Sequence, residues 1–309
     1  MEIRSENIEK KYGKTMALKG ISFKLNSNQI FGFVGPNGAG KTTTLRILAT
    51  LDEPTSGDGY INGISITQYP EKVRGILGFV PDTLPTHNDI TVHEYLDFFA
   101  RAYGLKGQKR RQSTEGVEEF TGLTGIRDKM LKALSKGMKQ RVSLARALIH
   151  DPAVLLMDEP AAGLDPRARV ELRELLKILS GQGKAILISS HILTELTEIC
   201  NGAIIIEHGN ILRTGTIEEL VKKDRPHITL LVRSYDRQDQ LFKTLLETPK
   251  IAEARRAGKD ILVELEGGEE DVCDLLSDLV QQGHRISEFK QQQTDLEDIF
   301  MSVTNGELQ

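Results

Sequence analysis

Two cysteines, Cys200 and Cys273, are all that 309 residues contain. Two thiols cannot build a disulfide framework, and this pair lacks metal-ligand spacing. They read as small apolar residues in the core or near the surface, in a chain expected to work in a reducing cytosol. Long apolar runs are missing as well. The longest, such as residues 203–206, are strand-sized and fall far short of the ~18 residues that cross a bilayer. A membrane function would need another chain to supply the span. Residues 1–6 carry no apolar signal region. Nor is there an excess of positive charge: 40 Lys and Arg against 44 Asp and Glu leave a formal net charge of −4. Nothing marks the whole chain as a nucleic-acid binder, and no nucleic-acid partner is expected.

What is there is an ordinary globular balance, 39% hydrophobic and 27% charged, in a chain long enough for two domains. Residues 1–25 alternate polar and apolar positions (Ile3, Ile8, Tyr12, Leu18, Ile21, Phe23, Leu25), which predicts antiparallel strands. Buried strands are expected at 29–34, 76–80, 153–157 and 185–189. A turn is expected over 54–59, followed by a strand over 60–63. From about residue 91 to 150 the period becomes helical, with stripes at Val92, Tyr95, Leu96, Phe99 and at Val142, Ala145, Leu148, Ile149. The basic cluster 106–111 reads as a solvated loop, because no aromatics interleave it. Helices are expected at 166–182, opened by Pro166, and at 192–200, with a hairpin at 203–213. Strands alternating with helices indicate a mostly parallel sheet covered on both faces. The polar, proline-ended stretch 222–226 reads as a linker. Beyond it, strands at 228–233, 250–256, 261–266 and 285–290 alternate with helices at 236–247, 269–282 and 294–303. That is a small α+β domain with no chemical constellation.

The chemistry concentrates at Gly35-Pro36-Asn37-Gly38-Ala39-Gly40-Lys41-Thr42. The run fits the phosphate-binding P-loop and lies between an apolar strand and a helix that opens at Thr43. The glycines let backbone wrap an anion, and helix N–H groups then point at phosphate. Lys41 is placed for the β- and γ-phosphates, and the Thr42 hydroxyl for Mg²⁺. Residues 154–159 are four apolar positions ending in Asp158-Glu159. A strand end in a parallel sheet is where active groups sit. Asp158 there can hold Mg²⁺, usually through water. Glu159 is placed to accept a proton from a water attacking the γ-phosphate.

The P-loop, Leu134-Ser135-Lys136-Gly137-Met138-Lys139-Gln140-Arg141 and Asp158-Glu159 occur in that order. Over about residues 1–220 the chain resembles the nucleotide-binding subunits of ATP-binding cassette (ABC) transporters. The resemblance implies an α/β P-loop cassette: a RecA-like core, an antiparallel β layer and an inserted helical subdomain over about 88–150. The cassette would span 1–222, and an accessory α+β domain 227–309. In the family, two subunits face head to tail around two Mg-ATP. A signature like 134–138 then contacts the γ-phosphate held by the other subunit, which implies that role for Ser135 and Gly137. Asp165, in Ala161-Ala162-Gly163-Leu164-Asp165, resembles the residue that crosses the dimer interface. His191 resembles the switch histidine. Tyr12 resembles the aromatic that stacks on adenine; read alone, it is a strand core residue.

Two positions depart from the pattern. Asp82, after Val80-Pro81, stands where the family has a metal-binding Gln. A carboxylate can still bind Mg²⁺, though it adds repulsion near phosphate. Lys136 and Met138 replace a Gly and a Gln; Lys136 either adds positive charge near phosphate or points to solvent. The terminal run Asp295-Leu296-Glu297-Asp298-Ile299-Phe300 is similar to the accessory domain of ABC-2-type exporters. The resemblance implies ATP hydrolysis on the cytoplasmic membrane face, driving integral-membrane permease subunits, with a homodimer or heterodimer of ATP-binding subunits. Two other readings remain: a soluble cassette acting as a mechanical switch on ribosome, DNA or a scaffold, and a degenerate cassette that binds ATP only as a regulator.

Overall fold

A computed structural model describes residues 2–84, 89–191, 196, 199–217, 219–220 and 227–291. Most of the expected helix at 192–200 lies outside these residues. So do the 222–226 linker, the helix at 294–303 and the run 295–300. The chain divides into two compact units, one built from Met1–Ile217 and the other from Glu218–Asn305.

The first unit opens on β1 (Glu2–Tyr12) and β2 (Thr15–Asn26), a hairpin that pairs Ile3 with Leu25 and Ile8 with Ile21. The alternation read from the sequence is the burial pattern: Ile3, Ile8, Leu18, Ile21 and Leu25 are buried. β4 (Ser56–Ile61) and β5 (Ile64–Ser65) complete a sheet of order β2-β1-β4-β5. Here the expected turn and strand shift. β4 starts at Ser56, inside the expected turn, and Asn62-Gly63 is a turn rather than the end of a strand. Both residues have positive φ, 51° and 76°, as a type I′ hairpin turn requires.

The second sheet has the order β10-β9-β3-β8-β7-β6. Its strands are β3 (Ile30–Val34), β6 (Leu77–Val80), β7 (Val154–Asp158), β8 (Ala185–Ser190), β9 (Gly202–Glu207) and β10 (Asn210–Thr216). Only β10 runs antiparallel to its neighbour. β3, β7 and β8 are buried at every position, as strands of a covered parallel sheet must be. The register sets Asp158 beside Ser189, and Ser189 beside Phe33. The carboxyl ends of β3, β7 and β8 therefore reach one edge together, the position expected for a ligand site.

α1 (Lys41–Leu48), the short α2 (Pro70–Arg74) and α6 (Pro166–Gly181) belong to this core. Between β6 and β7 lie α3 (Val92–Ala102), α4 (Gly107–Phe120) and α5 (Lys136–Leu148). They share a separate core in which Val92, Tyr95, Leu96, Val142 and Ala145 are buried. The basic cluster 106–111 is not a loop: Lys106 precedes α4, and Gly107 to Arg111 form its start. α4 buries only Thr114 and Glu118, so it has almost no apolar stripe to read. It is held by polar contacts. Glu118 meets His93 Nδ1 at 2.6 Å and Arg127 Nε at 3.5 Å, and Arg110 meets Asp97 at 2.9 Å.

The second unit runs β11 (His227–Ser234), α7 (Gln238–Glu247), β12 (Ile251–Ala257), β13 (Asp260–Glu266), α8 (Glu269–Gln281) and β14 (Ile286–Gln291). Its sheet is antiparallel throughout, in the order β12-β13-β11-β14. Leu241, Leu245, Leu275 and Leu279 of the helices pack with Leu230, Val232, Ile261, Val263 and Leu265 of the strands. Both cysteines are free: Cys200 is buried, which pushes its thiol pKa up, and Cys273 is exposed.

Candidate functional site

β3 ends at Val34, and the chain turns through 35–40 into α1. Two glycines are dictated by sterics. A Cβ on Gly35 would stand 2.2 Å from the Ile206 carbonyl oxygen. Gly40 has φ +111°, and a Cβ there would stand 2.6 Å from Leu18 Cδ2. Gly38, at φ +80°, faces open space. Inside the turn, Ala39 N–H donates to the Pro36 carbonyl at 3.2 Å. Gly40 is the N-cap of α1 and no side chain caps it. The helix N-terminus thus offers its orphan donors to an anion.

Lys41 is only 5% exposed. Its ammonium donates to the carbonyls of Gly35 at 2.6 Å and Pro36 at 3.2 Å, and lies 3.8 Å from Glu159 Oε1. Burial lowers its pKa, and the Glu159 and Asp158 carboxylates offset this only in part. A partly uncompensated cation is set to gain by meeting phosphate.

Asp158, at the end of β7, is 4% exposed. Its Oδ1 accepts from Thr42 Oγ1 at 3.1 Å and from Ser189 Oγ at 2.6 Å. Glu159 follows at φ +48°, a left-handed conformation unusual for a non-glycine residue. The Glu159 N–H donates to Ser189 Oγ at 3.0 Å and to the Ser189 carbonyl at 3.2 Å. The Glu159 carboxylate spans Lys41 on one oxygen and His191 Nδ1, at 2.8 Å, on the other. Ser189 thus holds both acidic residues, and sequence reasoning missed it. Its one signal was two hydroxyls closing an apolar strand. Ser189→Ala is expected to cost about 1–3 kcal/mol in urea melts, through the buried carboxylate that loses a donor. Turnover should fall with it; an unchanged melt and rate would show that Ser189 is a bystander.

These oxygens fit a hard cation. Mg²⁺ keeps several waters and takes one or two protein oxygens plus substrate phosphates. The Thr42 hydroxyl and the Asp158 carboxylate meet that demand side by side. Among the described residues no cluster of three His, Cys, Asp or Glu makes a preformed metal cage. Asp82 lines the same cleft, but among the described residues its only hydrogen bond is a long one from Thr83 Oγ1, 3.5 Å. The geometry does not join it to Thr42 or Asp158.

The expected residues thus fall into two groups. One cleft is lined by Asn37, Gly38, Gly40, Lys41, Thr42, Thr43, Asp82, Glu159 and His191. Another is lined by Ser135, Gly137 and Asp165, with Met138, Arg141 and Glu171. The two share no residue. Ser135 caps α5 by accepting from Met138 N–H at 3.3 Å, and Asp165 caps α6 by accepting from Ala168 N–H at 2.9 Å. Lys136 is exposed, yet its ammonium lies 2.6 Å from where a Cβ on Gly163 would stand. Its stem leans over the 161–165 turn.

Tyr12 is 47% exposed, so the strand-core reading fails. Its hydroxyl meets Asp52 Oδ2 at 3.3 Å, and Arg46 grips the same carboxylate at 2.8 Å. Lys10 Nζ lies 4.9 Å from the ring centroid, and the half-exposed ring closes β1.

The ABC transporter family matches residues 18–162, and an AAA domain matches residues 129–197. The C-terminal domain of DrrA1-3-like ATP-binding proteins matches residues 215–304. A Nod factor export ATP-binding protein I of Ralstonia nicotianae is 33% identical, over 98% of this chain and 94% of its own length. An uncharacterized ABC transporter ATP-binding protein of Bacillus subtilis is 32% identical, over 97% and 99%. A linearmycin resistance ATP-binding protein of the same species is 35% identical, over 72% and 71%. Among solved structures, an ATP-binding subunit of an ABC transporter superposes with TM-score 0.66 at 28% identity, covering 72% of this chain and 93% of the other. A dimeric post-hydrolysis cassette bound to ADP and Pi gives TM-score 0.64 at 26% identity, covering 70% and 98%.

Proposed function

The chain belongs to the ATP-binding subunits of ABC transporters, a family of ATPases, and on that premise we propose that two subunits close head to tail around two Mg-ATP to drive a separate membrane permease. The observation that carries this is the split site. Ser135, Gly137 and Asp165 line one cleft, and the P-loop with Glu159 and His191 lines another. A second copy, turned about a two-fold axis, would supply the missing half twice.

In this reading the 35–40 backbone and the first turn of α1 hold the phosphates, with Thr43 beside them, and Tyr12 stacks on adenine. Thr42 and Asp158 would hold Mg²⁺, which supplies charge neutralisation on the terminal phosphates. Asp82 is at most an outer partner of that ion. Lys41 leaves the Gly35 and Pro36 carbonyls for the phosphates. Glu159 takes the proton of the attacking water, and His191 fixes the carboxylate that does so. Ser135 and Gly137 present the N-terminus of α5 to the γ-phosphate on the partner. Phosphoryl transfer asks for this positioning and charge rather than for a covalent intermediate.

Among the described residues no helix is long and apolar enough to cross a membrane. In this reading the permease is a separate chain, and this subunit sits peripherally on the cytoplasmic face. The relatives named for Nod factor export and linearmycin resistance support an exporter. We assign the cassette to 1–222 and the accessory domain to 227–309. A pull-down from detergent-solubilised membranes, with Glu159→Gln and Mg-ATP, tests the partnership. A stoichiometric polytopic membrane protein is expected. Soluble partners alone would move the protein to the mechanical-switch class.

A further inference from the structure

Among the described residues, β12 is an edge of the second unit's sheet, and only β13 pairs with it. An edge strand exposes a row of backbone donors and acceptors, and proteins usually blunt it with charge, proline or a bulge. β12 holds no proline; its register with β13 shifts between Ile251 and Glu253 and is regular from Glu253 to Ala257. Its charges are of both signs. Glu253 and Arg255 flank Ala254, and both are exposed. Ala254 opposes Val263 and packs with the helices, so strand alternation sends Glu253 and Arg255 to the other face. Arg256 is occupied: it donates to Asp239 at 2.6 Å and stacks over Phe242. The side chains of Glu253 and Arg255 have no hydrogen-bond or ion-pair partner among the described residues.

Register then selects the occupant. An antiparallel strand of the same sequence, placed about a two-fold axis at Ala254, sets Glu253 opposite Arg255 twice. An axis at Glu253 or at Arg255 sets like charges face to face, which is unfavourable. We infer that β12 pairs with β12 of a second copy of this chain about an axis at Ala254, which joins two four-stranded sheets into one. Charges that repel other strands admit this one.

The opposite edge offers a weaker alternative. Glu288 and Lys290 of β14 have the same spacing, but Arg233 already holds Glu288 at 2.9 Å. A β12-to-β14 contact would be head to tail and would leave free edges for further copies, whereas the β12 pair closes on itself. This interface is independent of the nucleotide site, so it is tested with that site silent.

The test is sedimentation equilibrium of the full chain, without nucleotide and with a chelator. Wild type is expected to dimerise reversibly. Arg255→Glu and Glu253→Arg should each raise the dimer dissociation constant at least about tenfold. Mixed together, the two variants should associate about as well as wild type, because the two acidic side chains of one variant then face the two basic side chains of the other. The double variant Glu253→Arg/Arg255→Glu should likewise self-associate. Thermal melts at concentrations where wild type is monomeric should match wild type, since both positions are exposed. A wild type still monomeric at about 100 µM would overturn the inference. So would single variants that dimerise as wild type does, or a mixture that associates no better than its parents.

Discussion

Glu159→Gln is expected to lower steady-state ATP turnover by about 10²–10⁴-fold while leaving ATP binding within a few-fold of wild type. The amide keeps the size of the carboxylate and suits the same left-handed backbone at φ +48°. It keeps a hydrogen-bonding oxygen near His191, which Glu159 meets at 2.8 Å. What it loses is the ability to take a proton. The phosphate cradle does not depend on it, because Gly35, Gly40 and α1 fix that geometry through backbone. Binding should therefore survive where turnover does not. Turnover within tenfold of wild type, with binding intact, would show that another group is the base.

Lys41→Ala should have the opposite signature, with nucleotide binding lost along with turnover. Wild type at ATP concentrations of about 100 times Kd should gain about 2.7 kcal/mol of apparent stability. The variant should gain close to none. Without nucleotide its stability should move little, because two effects oppose. The variant gives up a buried stem and two hydrogen bonds to carbonyls. It also relieves a buried charge. Lys41 has its folded-state pKa lowered by burial. Such a group disfavours folding at pH values where it is protonated, and the penalty fades only as pH rises through the lowered pKa. Below that lowered pKa the penalty is present in full, so there its removal offsets the lost contacts. Differential scanning calorimetry with and without Mg-ATP checks both halves. A nucleotide-induced shift equal to that of wild type would remove Lys41 from the phosphate site.

The site was legible where its geometry is local. The run 35–42 carries its own spacing, its flanking strand and its helix, so the turn from β3 into α1 could be read directly. Asp158-Glu159 was legible because an apolar strand ended there. Ser189 was not, because its role arises from register: β8 runs beside β7 and brings a residue 31 positions away onto Asp158. The two-cleft arrangement also has no local signal. The family resemblance alone placed Ser135 and Asp165 toward a partner; in the fold they cap two helices, and neither lines the P-loop cleft.

The fold followed the same division. Fully apolar strands and the 92–99 stripe emerged where expected. α4 was misread because its buried positions are Thr114 and Glu118, and a helix without an apolar face leaves no periodicity. The boundary near residue 60 failed for a different reason. Asn62-Gly63 is a strong hairpin-turn dipeptide, and it outranks the strand pattern around it.

The most direct test of the split site is complementation between two inactive chains. Glu159→Gln keeps the Ser135 half and loses the base. Ser135→Arg keeps the base and blocks the other half. Each alone should be nearly inactive. Mixed in equal amounts before Mg-ATP is added, half the dimers should be mixed, and each of these holds one intact site. Activity should rise to about a quarter of wild type, as the two-fold arrangement requires. A mixture that stays at the average of its two parents would mean that the chain does not build its ATP site from two copies, and would contradict the account.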